Sequence, residues 1–433
     1  MAEKLPSELP LLRGHRMRLA VICFHTSPTA ALGHSANGGL NVYVREVCRQ
    51  FSAQGVATDV FTRIASGAGP IVEQLAPLSR VVYLPAGPAE VDKYELIEYV
   101  EDFAASVARF ADDEDLRYDL LYSHYWLSGA VACTLRGRWR LPWAHTAHTL
   151  AVVKNRALAP GDVPEPPERA LLEGEIARSA DLLVVSTAAE GEELRRAYGV
   201  RRDRIAVAAP GVDLDAFRYV KRFTGLDERA TRAVRTVLFV GRLERLKGAD
   251  VALRAFAAAA RNHPDVRLLV LGGDSHTRGE SERERLAGIA RELGIESRVS
   301  FLGSVPHRQL PDHYLAAEAL LMPSYNESFG LVGLEAQACG CPVIAADVAG
   351  LASVVRDGVT GYLVSGHDPA AYADRLARLL DDPGLAAAMG RRGRLLAQGF
   401  GWERTGDRLL QVLGPLLAAG RPQLTVQAGA RVE

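Results

Sequence analysis

From residue 17 to about residue 418 the chain alternates short apolar runs with longer amphipathic segments. This rhythm restricts the fold more than any other feature. In the first half the runs are "RLAVICF", "ATDVFT", "RVVYLPA", "DLLYSHY", "LPWAHTAH", "DLLVVS" and "RIAVAAP". Their hydrophobicity is mostly continuous, as expected for strands covered on both faces. Helical patterns lie between them. In "NVYVREVCRQFSAQG", Tyr43, Val44, Val47, Cys48 and Phe51 form one stripe that ends at Gly55. The second half repeats the rhythm with "RTVLFVG", "VRLLVLGG", "RVSFLG", "EALLMPS", "CPVIAA" and "GYLVS". Such alternation implies βαβ units with right-handed crossovers and parallel sheets. Two successive sets of about six units predict two doubly wound α/β domains, because a closed barrel takes about eight units in one ring. The boundary is expected in the Pro/Gly-punctuated polar stretch 210–234.

Composition excludes several classes of function. The 433 residues carry a net charge of −1 and no basic block, so nothing asks for nucleic acid or an anionic membrane as partner. No run of about 18 apolar residues exists, and the N-terminus lacks a long apolar signal region, so neither membrane spanning nor secretion is expected. The five cysteines are odd in number and scattered, four of them in apolar runs, which points to a reducing, cytoplasmic compartment.

Four stretches carry candidate chemistry. "SANGGLNVYVRE" (35–46) sets Gly38 and Gly39 at a first β–α turn, where helix N–H groups bind phosphate. The spacing is not GxGxxG, and a plain tight turn fits equally well. "VGRLERLKG" (240–248) delivers Arg242 and Lys247 to the carboxyl end of a parallel strand. A forked donor beside a point charge suits a diphosphate, and a solvated loop is the plain alternative. In "PSYNESFGLVGLEAQACGCPVIA" (323–345), Glu327 and Glu335 flank Gly330 and a helix running from Leu331. Both carboxylates reach one ligand if its diphosphate sits over that helix N-terminus, with ribose or hexose hydroxyls as their targets. "SHYWLSG" (123–129) and "HTAHTLAVVKN" (145–155) bring His124, Tyr125, His145, His148 and Thr149 to one sheet edge. These histidines suit a polar substrate better than zinc, since no acidic third ligand accompanies them. Lys93 and Arg169 lie in flanking loops, where they are either ligands or surface charge.

"GRLERLKG" followed by "NESFGLVGLEAQACGCPVIA" closely resembles the signature of the retaining GT-B glycosyltransferases of family 4, whose EX7E motif matches Glu327 and Glu335. The N-terminal motifs resemble one branch, the D-inositol 3-phosphate glycosyltransferases of mycothiol biosynthesis, with sucrose-phosphate synthases as cousins. The resemblance implies two Rossmann-like domains facing across a cleft, the acceptor domain at 17–212 and the donor domain at 213–399. Segment 400–418 would pack back on the first, with an extension at 1–16 and a flexible tail at 419–433. It implies UDP-GlcNAc as donor and an inositol phosphate as acceptor, or another nucleotide sugar and phosphorylated acceptor in a relative of sucrose-phosphate-synthase or natural-product type. By resemblance, Gly38 and Gly39 approach the diphosphate, which Arg242 and Lys247 bind. Glu335 takes the ribose, and Glu327 takes the donor sugar with the backbone of Ser328, Phe329, Gly330 and Leu331. His148 stands at the reacting centre. Asn41 faces the acceptor ring, and Lys93, Tyr125, Thr149 and Arg169 hold the acceptor phosphate. Front-face transfer with retention is expected, with no metal and no cofactor, and a homodimer is plausible. The competing readings are a nucleotide-sugar binding protein without turnover and an isomerase of the UDP-GlcNAc 2-epimerase kind.

Overall fold

The computed structural model describes residues 16–30, 38–65, 70–218, 234–274 and 281–419. The expected N-terminal extension (up to residue 15), residues 35–37 of the glycine motif, most of the linker (219–233) and the tail from 420 lie outside the described residues.

Two sheets organise the chain. The first contains β1 (Arg18–Ile22), β2 (Ala57–Ile64), β3 (Ile71–Ala76) and β4 (Ser79–Pro85), then β5 (Leu120–His124), β6 (Trp143–Thr146), β7 (Leu182–Val185) and β8 (Ile205–Val207). Its order is β3-β4-β2-β1-β5-β6-β7-β8. The second contains β9 (Arg235–Val240), β10 (Val266–Leu271), β11 (Val299–Gly303), β12 (Ala317–Met322), β13 (Val343–Ala346) and β14 (Gly361–Val364), in the order β11-β10-β9-β12-β13-β14.

The unbroken apolar runs have a direct structural cause. In β1 and the residues after it, Leu19, Val21 and Cys23 face one core while Ala20, Ile22 and Phe24 face the other. Every strand pairs in parallel except β3, which runs antiparallel to β4 at the sheet edge. β3 is the strand that the apolar pattern does not predict. Its Ile71 and Val72 are 54% and 48% exposed, so burial never selected a continuous apolar run there.

The strand order reverses beside β1 and β5 in the first sheet, and beside β9 and β12 in the second. In open α/β sheets, ligands settle at the carboxyl ends of the strands at such a switch point. The loops that follow these four strands all carry candidate residues.

The last helix, Trp402–Ala419, leaves the second domain and returns to the first. It places Trp402, Leu409, Leu410, Leu413 and Leu417 in the same core as β1 and helix α1 (Gly39–Ala53). The two chain crossings touch each other: Val212 N–H donates to Phe400 O at 2.7 Å, and Thr405 Oγ1 donates to Ala209 O at 2.9 Å. A Cβ on Gly211 would lie 2.7 Å from the Trp402 backbone, so the crossing requires glycine. Because Leu413 is fully buried, Leu413→Ala should lower stability by about 2–5 kcal/mol in urea unfolding. An unchanged midpoint would show that the last helix lies outside the cooperative unit of the first domain.

Candidate active site between the two domains

The glycine turn begins α1, with Gly38 at its N-cap. A Cβ on Gly38 would come 3.7 Å from Arg242 Nε, and one on Gly39 would come 3.3 Å from Leu331 Cδ1. The turn therefore meets the second domain at both of that domain's candidate loops. Asn41 is fully buried. Its Oδ1 accepts from Gly38 N–H at 2.8 Å, and its Nδ2 donates to Thr26 Oγ1 and to Ser27 O, both at 2.6 Å. Asn41 thus builds the β1–α1 loop from within. Contact with an acceptor would require an exposure that this side chain lacks here.

On the second domain, Arg242 pairs with Glu244 at 2.6 Å and Lys247 with Glu327 at 2.7 Å. Gly248, left-handed at φ 71°, lets this loop close on Pro323, whose carbonyl oxygen would be 2.2 Å from a Cβ. Gly330, at φ 97°, caps the helix Leu331–Ala338 against Leu351. Phe329 is buried beneath the loop, and Leu331 packs on the core of the first domain. Glu335 is buried, with Oε1 2.6 Å from His307 Nε2 and Oε2 accepting from Tyr314 OH at 3.4 Å. Burial works against charging His307, but Glu335 outweighs it and raises the pKa. Glu335 and His307 line an interdomain cavity of about 500 Å³ with Val42, Arg45, Phe217 and Trp402. His307 was not among the candidates, for it stands in a stretch, "SVPHRQL", that carries no motif.

The third group gathers on the first domain. Arg169 is almost fully buried. Its Nε donates to Glu173 at 2.7 Å, one terminal nitrogen lies 2.7 Å from Glu165, and the other donates to Thr149 Oγ1 at 2.9 Å. Its guanidinium lies 4.9 Å from the ring centroid of Tyr125, a residue held at φ 78°. Glu165 also accepts from Tyr94 OH at 2.6 Å and from Lys154. Burial alone would raise the Glu165 pKa, yet Arg169, Lys154 and Lys93 bring it down to about 2. Lys93 sits 4.5 Å over the Tyr94 ring. Burial lowers its pKa, with Glu165 and Glu244 opposing and Arg169 and Arg242 assisting, so it faces both domains. Glu165, Glu173 and Lys154 are site residues that sequence reasoning passed over. The i±4 spacing of the glutamates around Arg169 is visible in "EPPERALLE", but the same spacing decorates ordinary exposed helices.

Between these groups lie the histidines. Burial holds His25, His145 and His148 neutral, with pKa values lowered to about 3, and lowers that of His124 as well. His148 has a left-handed backbone, φ 60°, and its carbonyl accepts from the Ser328 hydroxyl across the domain gap. A non-glycine residue in that region costs about 1–3 kcal/mol, so the surrounding contacts must fix it. No group of three or more His, Cys, Asp or Glu that could hold a metal ion occurs among the described residues. No helix among them is long and apolar enough to cross a membrane.

The arrangement is thus a cleft with paired cations on both walls, lined by loops from both switch points. The family described as Glycosyl transferases group 1 matches residues 228–396, and Glycosyl transferase 4-like domain matches residues 38–211. The D-inositol 3-phosphate glycosyltransferase of Corynebacterium jeikeium is 44% identical over 93% of this chain and 98% of its own. That of Mycolicibacterium paratuberculosis is 47% identical over 91% of this chain and 89% of its own. The chain belongs to the group 1 glycosyl transferases. This glycosyltransferase has the GT-B fold. Sucrose-phosphate synthase from Thermosynechococcus elongatus superimposes with a TM-score of 0.85 at 34% identity, over 93% of this chain and 100% of that one. Anabaena HepE, solved with UDP and glucose, shares the fold with a TM-score of 0.72 at 20% identity, over 92% of this chain and 100% of its own.

The neutral histidines make the glycosyltransferase acid-sensitive. In the unfolded chain each titrates near 6.5, whereas His25, His145 and His148 stay neutral in the fold down to about 3. Their stabilisation is complete above pH 6.5 and is lost as pH falls toward 3, by up to about 1.4 kcal/mol per imidazole per pH unit. His307, raised, contributes in the opposite sense: its share is present below its unfolded value and lost as pH rises through the folded one. Urea unfolding between about pH 7 and pH 5 should show a steep fall in stability, made shallower by about one proton in His145→Asn. A flat profile would contradict the buried neutral cluster.

Proposed function

We propose that this glycosyltransferase transfers N-acetylglucosamine from UDP-GlcNAc to 1D-myo-inositol 3-phosphate with retention, the first step of a mycothiol-type route. The observation that carries the reading is the cluster of Lys93, Tyr125, Thr149 and Arg169, which lies across the cleft from Arg242 and Lys247. Two cations and two hydroxyl donors suit a phosphomonoester of charge near −2. The names of the relatives support the same acceptor class. HepE, solved with UDP and glucose, supports a uridine nucleotide on the other wall.

In this reading Arg242 and Lys247 exchange Glu244 and Glu327 for the diphosphate, over the helix N-termini that begin at Gly39 and Leu331. Glu335 takes the ribose from within the interdomain cavity. Glu327 and the backbone from Ser328 to Leu331 hold the sugar, and His148 stands beside it. The leaving phosphate takes the acceptor hydroxyl proton, while the two cations stabilise the charge that develops on the diphosphate. No metal is needed for that role. Closure of the two domains would exclude water and limit donor hydrolysis.

A donor-by-acceptor screen of the purified protein in EDTA, reading UDP release and the anomeric configuration of the product, tests the whole reading. Inositol phosphate with UDP-GlcNAc should give the highest kcat/KM and a retained product. A preference for a hexose phosphate would instead mark a sucrose-phosphate-synthase-like pair, and UDP release without product would indicate no transfer.

The acceptor pocket has its own test. Lys93→Ala should raise the acceptor KM by roughly ten- to hundredfold, the share of one charge-assisted hydrogen bond, with little change for the donor. Equal effects on both substrates would refute the phosphate role. Arg169 is a poorer probe, because its removal takes the only ion-pair partner that the buried Glu173 has among the described residues and one of the cations on Glu165.

A further inference from the structure

His124 ends β5 and is fully buried. Its Nδ1 lies 3.1 Å from His148 Nε2, with the two ring centroids 5.3 Å apart. Two neutral imidazoles can share this contact in only two ways, since each carries one N–H and one lone pair. In the first, His148 donates from Nε2, and His124 must carry its proton on Nε2. That atom is buried and has no hydrogen-bond partner among the described residues. The rings of Tyr122 and Tyr43 pack on His124, with centroids 4.3 Å and 5.7 Å away. In the second, His124 donates from Nδ1, and its Nε2 is left with only an unused lone pair. Buried N–H groups without partners are the rarer defect, and an unpaired buried donor forfeits about 1–3 kcal/mol. The second arrangement is therefore the stable one.

We infer that His124 is a positioning residue that fixes His148 as its Nδ1–H tautomer, so that His148 offers a neutral N–H donor to an oxygen of the transferred sugar. His148 is only partly buried, and its Nδ1 has no partner among the described residues. Its one lone pair is engaged by His124, so it has none with which to act as a base. The Ser328–His148 carbonyl contact and the left-handed backbone fix where the ring stands. The sugar contact rests on the donor reading proposed above, whereas the tautomer does not.

Full-length protein labelled with ¹⁵N-histidine reports the tautomer through two-bond ¹⁵N–¹H correlations, with the His148 signals assigned by their loss in His148→Asn. The expected result is a proton on Nδ1 and none on Nε2, with or without UDP. A proton on His148 Nε2 overturns the inference whatever the substrate proves to be. Kinetics then test the consequence. His124→Leu should lose roughly ten- to hundredfold in kcat, while His124→Asn, whose amide N–H occupies the place of Nδ1–H, should recover most of it. UDP affinity, which involves no transferred sugar, should match wild type in both variants and certifies folding. Equal kcat in two variants that bind UDP normally overturns the positioning role. If wild-type protein bound no UDP, the donor reading would fall while the tautomer result stood.

Discussion

Gathering cations between two domains is unfavourable unless each has a partner, and this constraint shapes the whole cleft. Arg242 rests on Glu244, Lys247 on Glu327, and Arg169 on Glu165 and Glu173. For the buried Arg169 pairs, removing one partner leaves an uncompensated charge and costs about 3–5 kcal/mol, whereas an intact buried pair adds little net stability. The pairs are thus better understood as storage of positive charge than as struts. In the proposed function, an incoming phosphate would replace a carboxylate at a cation already oriented to receive an anion. The two walls differ in how easily this exchange proceeds. Lys247 and Glu327 are both partly exposed and free to separate, whereas Arg169 is locked by two buried glutamates and stays in place. In the proposed function, the first wall would rearrange with the donor and the second would present a fixed socket.

The same cleft depends on the two chain crossings. Because Val212 bonds to Phe400 and Gly211 lies against Trp402, the linker and the returning helix leave the first domain as one paired strap. Any opening motion must bend both together, which confines it to a narrow set of directions. Of the four non-glycine residues with positive φ among the described residues, Asp115 and Arg140 follow the ends of helices, whereas His148 at φ 60° and Tyr125 at φ 78° lie on the cleft side of the first domain. Tyr125 follows the end of β5, beside the switch point, and both residues carry side chains of the candidate site. Strain at these places is consistent with loops held for a ligand rather than for packing.

Much of this was legible in the sequence, for physical reasons that also explain what was not. Strands buried on both faces must be continuously apolar, so the parallel strands announce themselves, whereas β3, exposed at an edge and paired through a tight turn, leaves no such trace. Arg242, Lys247 and Glu327 were legible as candidates because their loops follow switch-point strands, and Glu335 because the helix after Gly330 places it eight residues from Glu327. Asn41 was expected at the acceptor ring but is buried, because its partners Thr26 and Ser27 come from a loop whose path no local pattern reveals. Glu165 and Glu173 were hidden by their own regularity. Only burial distinguishes an i±4 pair that clamps a buried arginine from one that decorates a surface, and burial is a property of the whole fold.

The distribution of protons narrows the chemistry further. A base or nucleophile on the first domain would need a carboxylate or an imidazole with an available lone pair. In the acceptor pocket, Glu165 and Glu173 are tied to Arg169, and Glu165 is held down to about 2, which makes it a feeble base. The imidazoles nearby are neutral but enclosed: His145 bonds to Ser123 at 2.8 Å, and His124 and His148 bond to each other. Glu165, Glu173, His145 and His148 are engaged in this way, whereas His25 Nδ1 and His124 Nε2 have no hydrogen-bond partner among the described residues. In the proposed function, the departing phosphate, gaining charge as the glycosidic bond breaks, is the base we assign to the acceptor hydroxyl. The protein would then contribute cations that tolerate that charge and donors that hold the sugar, as the proposed function assigns them.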